Sequence, residues 1–448
     1  MATVQSLSMM GTAGDMLPLL WSNATLALQQ EVTIHFVVQP HLLETVLGKL
    51  QASPRFTMLS EESVAVEQKA YKVTFTPPDG KPPKAERSTV AEETVQVELR
   101  HVIWHAGDRH MRHADGQTQF HVWAPTDESY DEKQHQEWQD PSKIAFKKLS
   151  YGEFLTKWQA VLSHLDSVLP TSGVLRVTNC YDQEGNCKLI EATLGYTSDL
   201  HLRIGTLCMT DDSADKKFYA ISEALCPRKL YLSSTHVKDV NPKAKALEGV
   251  IAEPQAIFPA EALPPEVATF LEAPTVVVTL SSSHLGTWLQ KLLADRHCLF
   301  ICSVEANPLP EHFHWPKPLN LDAVFSKACL VVHACGVGTA YKAVCSGTPS
   351  ICVSLTKEQL NNAKRLEYKA VAHHYVLQDL MQDRAIQEAF VKSLNAASYD
   401  AQSVCKLRKK VLRERDGLSA CVMRMKELLH TQSARPTRFA GSSAGICF

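Results

Sequence analysis

Short apolar runs rich in β-branched residues recur along this chain, each followed by a stretch with helical spacing. Val32–Val38 (VTIHFVV), Thr275–Leu280 (TVVVTL), Cys298–Val304, Ala328–Val332 and Ser350–Val353 are apolar at successive positions rather than at every second one. A strand of that kind has to be covered on both faces, the condition of a parallel strand between two helical layers. The expectation is an α/β chain of doubly wound, Rossmann-like sheets. The 448 residues exceed what one hydrophobic core serves and suit two domains of roughly 200 residues each.

The first sixty residues read as one such unit. Thr3–Met9 predicts a strand, Gly11-Thr12-Ala13-Gly14-Asp15 a glycine-bearing turn, and Leu19–Leu28 a helix with Pro18 in its first turn. Residues 77–145 interrupt the pattern with prolines, charges and histidines. They read as a polar, partly disordered insertion with strand signals only at Val95–Leu99 and His101–Trp104. Beyond it, Tyr151–Leu169 predicts a helix, Gly173–Thr178 a strand, Leu189–Leu194 a helix and His201–Cys208 a strand. Pro242–Pro265 is proline-rich and suits a crossing between domains. In the second half a helix is expected over Leu285–Leu293, and Tyr399–His430 is helical with a basic face. The expected division is 1–243, 244–430 and a frayed tail at 431–448.

Charge and cysteine usage exclude several classes. Lys+Arg 46 against Asp+Glu 48 leaves a formal charge of -2, so no global cationic field draws in nucleic acid. No apolar run reaches the ~18–20 residues of a membrane helix, and the first residues lack the basic and apolar regions of a signal peptide. The thirteen cysteines lie in apolar segments without CxxC pairs, so they read as buried thiols in a reducing, cytoplasmic setting. Six histidines at 101, 105, 110, 113, 121 and 135 include His110-x-x-His113, which binds metal only if a helix carries it. A solvated insertion is the simpler reading, and no metal is expected. The run Lys406, Arg408, Lys409, Lys410, Arg413, Arg415 is either a solvated helix face or a peripheral contact with anionic lipid.

The most informative stretch is Leu330–Ala343 (LVVHACGVGTAYKA), an apolar strand ending in a small-residue turn that opens a helix. Gly336 and Gly338 let a ligand approach the backbone, and helix-start amides favour an anion such as a diphosphate. Tight packing is the competing explanation. Neither glycine turn spells G-x-G-x-x-G with a ribose-binding acid after it, which disfavours a dinucleotide enzyme.

Together with its surroundings this stretch resembles the nucleotide-sugar-dependent glycosyltransferases of the GT-B fold, in the sterol and macrolide glucosyltransferase branch. Asp322 stands eleven residues before His333, close to the branch's D-x10-H-H-G-G-x-G-T. Ser346-Gly347-Thr348-Pro349 is similar to A-G-V-P, and Glu358-Gln359-Leu360-Asn361-Asn362-Ala363 to D-Q-x-x-x-A. Phe270–Pro274 followed by a strand and Ser281-Ser282-Ser283 resembles the FLEAG…GSM entry. Gly11–Pro18 (GTAGDMLP) resembles G-T-R-G-D-V-x-P.

The resemblance implies two Rossmann-like domains facing across a cleft. It implies transfer of a hexose from a UDP-sugar, such as UDP-glucose, to a hydroxyl of a lipophilic acceptor, with inversion. The UDP-sugar is a co-substrate, and no further cofactor is implied. Asp15 would be the base, with helix N-cap as its alternative. Ser281, Ser282, His333, Gly336, Gly338 and Thr339 would meet the diphosphate, and Glu358 and Gln359 the sugar. The branch's second histidine is Ala334 here, the first glycine of its pair is Cys335 and its arginine is Ala13. Those departures keep open a non-catalytic GT-B relative that binds or scaffolds.

Overall fold

In the computed structural model the described residues are 2–8, 13–38, 40–68, 72–75, 95–98, 102–113, 119–126, 165–167, 169–170, 173–178, 198–204, 229–232, 249–280, 289–304, 308–354, 357–395, 399–414 and 416–433. The first part runs β1 (Ala2–Ser8), α1 (Ala13–Gln29), β2 (Val32–Val38), α2 (Pro40–Ala52) and β3 (Phe56–Gln68). It continues through β4 (Lys72–Phe75), β5 (Val95–Glu98), β6 (Val102–His113), β7 (Gln119–Thr126), β8 (Val174–Thr178), β9 (Leu200–Ile204) and β10 (Lys229–Leu232). The second part opens with α3 (Pro265–Phe270), β11 (Val276–Thr279), β12 (Cys298–Ile301), β13 (His312–Trp315), α4 (Leu321–Phe325) and β14 (Leu330–His333). Then come α5 (Val337–Ser346), β15 (Ser350–Ser354), α6 (Lys357–Tyr368), β16 (Ala372–Val376), α7 (Leu377–Gln382), α8 (Arg384–Ser393), α9 (Ala401–Val411) and α10 (Gly417–Ser433).

Both large sheets share one strand order. The second is β13-β12-β11-β14-β15-β16, parallel throughout, which is the 3-2-1-4-5-6 order of a doubly wound dinucleotide fold. The first is β10-β9-β8-β1-β2-β7-β6-β3. Its six parallel strands repeat that order, with β7 as the third, and the antiparallel pair β6 and β3 extends one edge. Burial on both faces explains the parallel pairing. Val276 and Val278 sit in one core layer with Phe300 and Val332, while Val277 enters the opposite layer with Leu299, Ile301 and Val331.

Several expectations are corrected here. Part of the expected polar insertion at 77–145 is built into the first sheet: β7 pairs with β2 as the third parallel strand, and β6 pairs with β7. His110 and His113 both lie on strand β6, so the helical spacing that a metal pair needed does not exist. Helix α1 starts at Ala13, which moves Pro18 out of the first turn and Asp15 off the N-cap position. The helical span at the C-terminus is two helices, α9 and α10, with Asp416 capping the start of the second through its carboxylate. Strands β13 and β16 escaped the sequence reading. Their compositions, HFHW and AHHYV, dilute the apolar signal with histidine. The expected helices at 151–164 and 189–194, the triple serine at 281–283 and the residues after 433 lie outside the described residues.

The last helix crosses back to the first sheet. Leu418, Cys421, Val422, Met425 and Leu429 of α10 share one core with Leu20, Ala24 and Val177. Ile251, Ile257 and Phe258 of the crossing segment join that core, and Ser53 donates to the Ile257 carbonyl at 2.5 Å. An ion pair of 2.9 Å between Lys49 and Glu253 and a bond of 2.8 Å from Lys426 to Gln29 complete the attachment. Residues beyond 243 thus contribute to the first hydrophobic core as well as the second.

Candidate functional site

In an open parallel sheet a ligand finds its place beyond the C-terminal ends of the strands, where the strand order reverses. In the second sheet that point lies between β11 and β14. The turn from β14 into α5 occupies it. Gly336 is the N-cap of α5, with φ −59° and ψ 144°, and no side chain bonds the helix-start amides from that cap. A Cβ built on Gly336 or Gly338 meets nothing within 4 Å. Tight packing therefore does not account for either glycine, and the space above them is open. Gly338 is exposed, and Thr339 in the same turn is half-buried. A ten-residue helix with an uncapped start concentrates partial positive charge at that opening.

Helix α6 is tied to the turn by Asn362, whose Nδ2 donates to the Cys335 carbonyl at 3.1 Å with the residue 1% exposed. Gln359 lies one helical turn earlier on α6 and is half-buried, and Glu358 is its neighbour in the first turn. Two buried polar atoms of β15 and α6 have no hydrogen-bond partner among the described residues: Ser354 Oγ, at the C-terminal end of β15, and Asn361 Nδ2 on α6. A buried polar atom without a partner costs about 1–3 kcal/mol, which a ligand group recovers. The sequence reading missed Ser354 and Asn362. Asn362 had a signal, its spacing of three from Gln359 on one helix face.

Asp322 lies in the first turn of α4 and forms an ion pair with Lys342 of α5. Asn320 caps α4 by accepting from the Asp322 and Ala323 amides. This clamp holds the two helices next to the turn, so Asp322 acts on the architecture.

His333 does not face the opening. It is fully buried at the end of β14, and the Cys335 amide donates to its Nδ1 at 3.0 Å. Its Nε2 faces Cys352 Sγ at 4.0 Å, across the paired strands β14 and β15. The expectation that His333 meets a diphosphate is corrected: burial and the occupied Nδ1 turn the ring into the core. Cys335 folds back beside it with φ +64°, in the left-handed region that costs a side-chain-bearing residue strain. The Cys335 side chain is buried in the cluster under α5, α6 and α9, where Tyr341 also packs, so neither closes the turn's open side.

The buried thiols differ sharply in acidity. Burial pushes Cys298 and Cys421 up to about 12. Cys352, equally enclosed, is pushed down to about 5 by the hydrogen bond from the Cys335 thiol, assisted by His333 and, more remotely, His374. His333, Cys335 and Cys352 are the one group of three His, Cys, Asp or Glu residues among the described residues whose ligating atoms converge, all within 4.8 Å of one another.

The corresponding reversal point of the first sheet lies between β1 and β8. Asp15 follows β1 within the first turn of α1. Beneath it the end of β1 is polar and buried: Ser6 donates to Asn23 Oδ1 at 2.9 Å, and Ser8 Oγ has no partner among the described residues. Arg176 of β8 donates to Gln5 at 3.3 Å and pairs with Asp166 at 3.1 Å. Gly11, Thr12, Ser281 and Ser282 are outside the described residues, as are the side chains of Asp15 and Glu358. Lys406, Arg408, Lys409 and Lys410 of the basic run lie on α9 and face solvent, opposite the buried Val404, Leu407 and Val411; the exposed Arg413 follows the helix, and Arg415 lies outside the described residues. Arg408 donates to the Cys345 carbonyl at 2.8 Å, closing the end of α5.

Among solved structures, Arabidopsis thaliana UGT89C1 complexed with quercetin superposes with a TM-score of 0.57 at 10% identity, covering 95% of this chain and 99% of that one. Spinosyn rhamnosyltransferase SpnG gives 0.53 at 14% identity over 95% and 100%, and the glycosyltransferase VinC in complex with DTDP gives 0.51 at 12% over 96% and 100%. The fold is therefore the GT-B fold of glycosyltransferases. In sequence, UDP glycosyltransferase 9 of Catharanthus roseus is 32% identical over 95 residues, 18% of this chain. The match spans about a fifth of that relative's length, 20%. No protein-family model matches the chain. Among the described residues no helix is long and apolar enough to cross a membrane.

Proposed function

We propose that the chain is a glycosyltransferase that moves a hexose from a UDP-sugar to a hydroxyl of a lipophilic acceptor such as a sterol, with inversion, in the cytoplasm. The observation that carries this reading is the uncapped start of α5 at the reversal point of the second sheet, with open space above Gly336 and Gly338. An anion the size of a diphosphate fits that chemistry. The partial sequence match to a UDP glycosyltransferase and the GT-B fold support the choice of a nucleotide sugar.

In this reading residues 1–243 form the acceptor side and 244–430 the donor side. The Val337, Gly338 and Thr339 amides, with Ser281 and Ser282 after β11, take the diphosphate charge as it develops on the leaving group. Glu358 and Gln359 hold the sugar hydroxyls. Asp15 takes the proton of the acceptor hydroxyl while its oxygen attacks the anomeric carbon and the bond to the diphosphate breaks. General-base assistance of this kind is worth roughly 10²–10⁴ in rate.

A thermal-shift titration with UDP tests the reading. UDP raises the Tm of the wild-type chain, and Asp15→Asn keeps that shift while losing sugar transfer. Absence of any shift at millimolar nucleotide favours the second reading, a non-catalytic relative that binds or scaffolds. Ala334 and the inward His333 are the observations behind that alternative, since they leave the turn without an imidazole donor. Ala334→His tests the same point: it restores a charge-assisted donor and tightens UDP binding.

A further inference from the structure

Beneath the turn, Cys335, Cys352 and His333 form a buried constellation that sugar transfer does not use. The three ligating atoms lie within 4.8 Å of one another and all three residues are 0% exposed. Such a set suits either a soft metal ion or a dithiol couple. The hydrogen bonds decide between them. His333 Nδ1 accepts the Cys335 amide at 3.0 Å, so in the neutral ring the proton sits on Nε2, the nitrogen aimed at Cys352. A metal would need that nitrogen bare and Nδ1 protonated against an N–H that already points at it.

We propose that Cys335 and Cys352 are a redox-active dithiol that closes to a disulfide when a small peroxide reaches it, with His333 as the positioning residue that supports the Cys352 thiolate. Cys352 sulfur attacks one peroxide oxygen; the O–O bond breaks and the leaving oxygen takes a proton to become water. Cys335 sulfur then displaces the oxygen from the Cys352 sulfenic acid, the S–S bond forms and a second water leaves. Two thiols are oxidised by one electron each and one peroxide is reduced to two waters. Burial selects the oxidant: hydrogen peroxide enters through local opening of the turn, and a bulky disulfide such as oxidised glutathione does not. The site goes beyond the transferase reading and stands whether or not the turn binds a nucleotide.

The test uses the full-length chain, reduced and freed of reductant, then treated with a few equivalents of hydrogen peroxide. It is denatured, alkylated, digested and mapped by mass spectrometry. The expected result is a linked peptide pair containing Cys335 and Cys352, about 2 Da lighter than the sum of the reduced peptides. Cys335→Ser loses that pair and leaves Cys352 as a sulfenic acid, which dimedone present in the denaturant captures once unfolding exposes it. His333→Gln slows closure of the pair several-fold at neutral pH without abolishing it. The proposal is overturned if the exposed Cys302 and Cys405 oxidise while Cys335 and Cys352 still take alkylating agent after unfolding. Equally, one equivalent of zinc that survives gel filtration and disappears in Cys352→Ser overturns it in favour of a metal site.

Discussion

Gly338 separates a binding turn from a packing turn. A methyl group at this position meets no protein atom within 4 Å, and the residue sits in the first turn of a helix, where alanine is the better former. Gly338→Ala is therefore expected to hold or raise the Tm while weakening UDP binding; unchanged affinity in an isothermal titration would remove the turn from the site. Cys352 carries a pH prediction. Its folded pKa, about 5, lies below the ordinary thiol value of 9.0, so the folded state favours the thiolate. The stability this contributes is fully present above about 9 and is lost as pH falls through about 5. The titratable groups that act on the sulfur are Cys335, His333, His374 and Tyr399. The Tm deficit of Cys352→Ser should shrink from pH 9 to pH 5, and a thiolate absorbance near neutral pH should be missing from that variant. None of this was visible in the linear chain, because it depends on which thiols meet across β14 and β15.

Where elements join, two glycines are held by opposite constraints. Gly347 ends α5 with φ +77°, and Gly417 starts α10 with its Cβ position 2.5 Å from the Gly249 carbonyl oxygen. The neighbour at Gly417 is backbone and cannot swing away. Gly417→Ala should cost roughly 1–3 kcal/mol by chemical denaturation, whereas an alanine at 338 costs nothing comparable. Continuous apolar strands such as β2, β11 and β15 were legible in the sequence because both faces are buried and every residue carries the signal. Strands β7, β13 and β16 were not. Histidines and aromatics in β13 gain their place by contact, as in the stack of His314 on Phe300 at 4.5 Å, and such contacts have no sequence period.

The two sheets are coupled through their chain ends. Because α10 buries Cys421, Val422 and Met425 in the core of the first sheet, its loss strips that core and leaves the second sheet's own layers in place. Met425→Ala should destabilise by about 2–5 kcal/mol. Hydrogen exchange locates the damage: β1 and β2 amides should lose protection while β11 and β14 keep theirs. The reverse pattern would mean that α10 belongs energetically to the second sheet. Covering both faces of a strand is a local demand, so the run of β-branched residues was enough to establish a parallel α/β chain, two sheets and the turn after Val332. Which strand became the third in the first sheet, which core took the last helix, and which way His333 turned are set by contacts between residues far apart in the chain. Only closure of the fold supplies those contacts. That is why the glycine turn at the start of α5 was legible in advance, and the thiol pair beneath it was not.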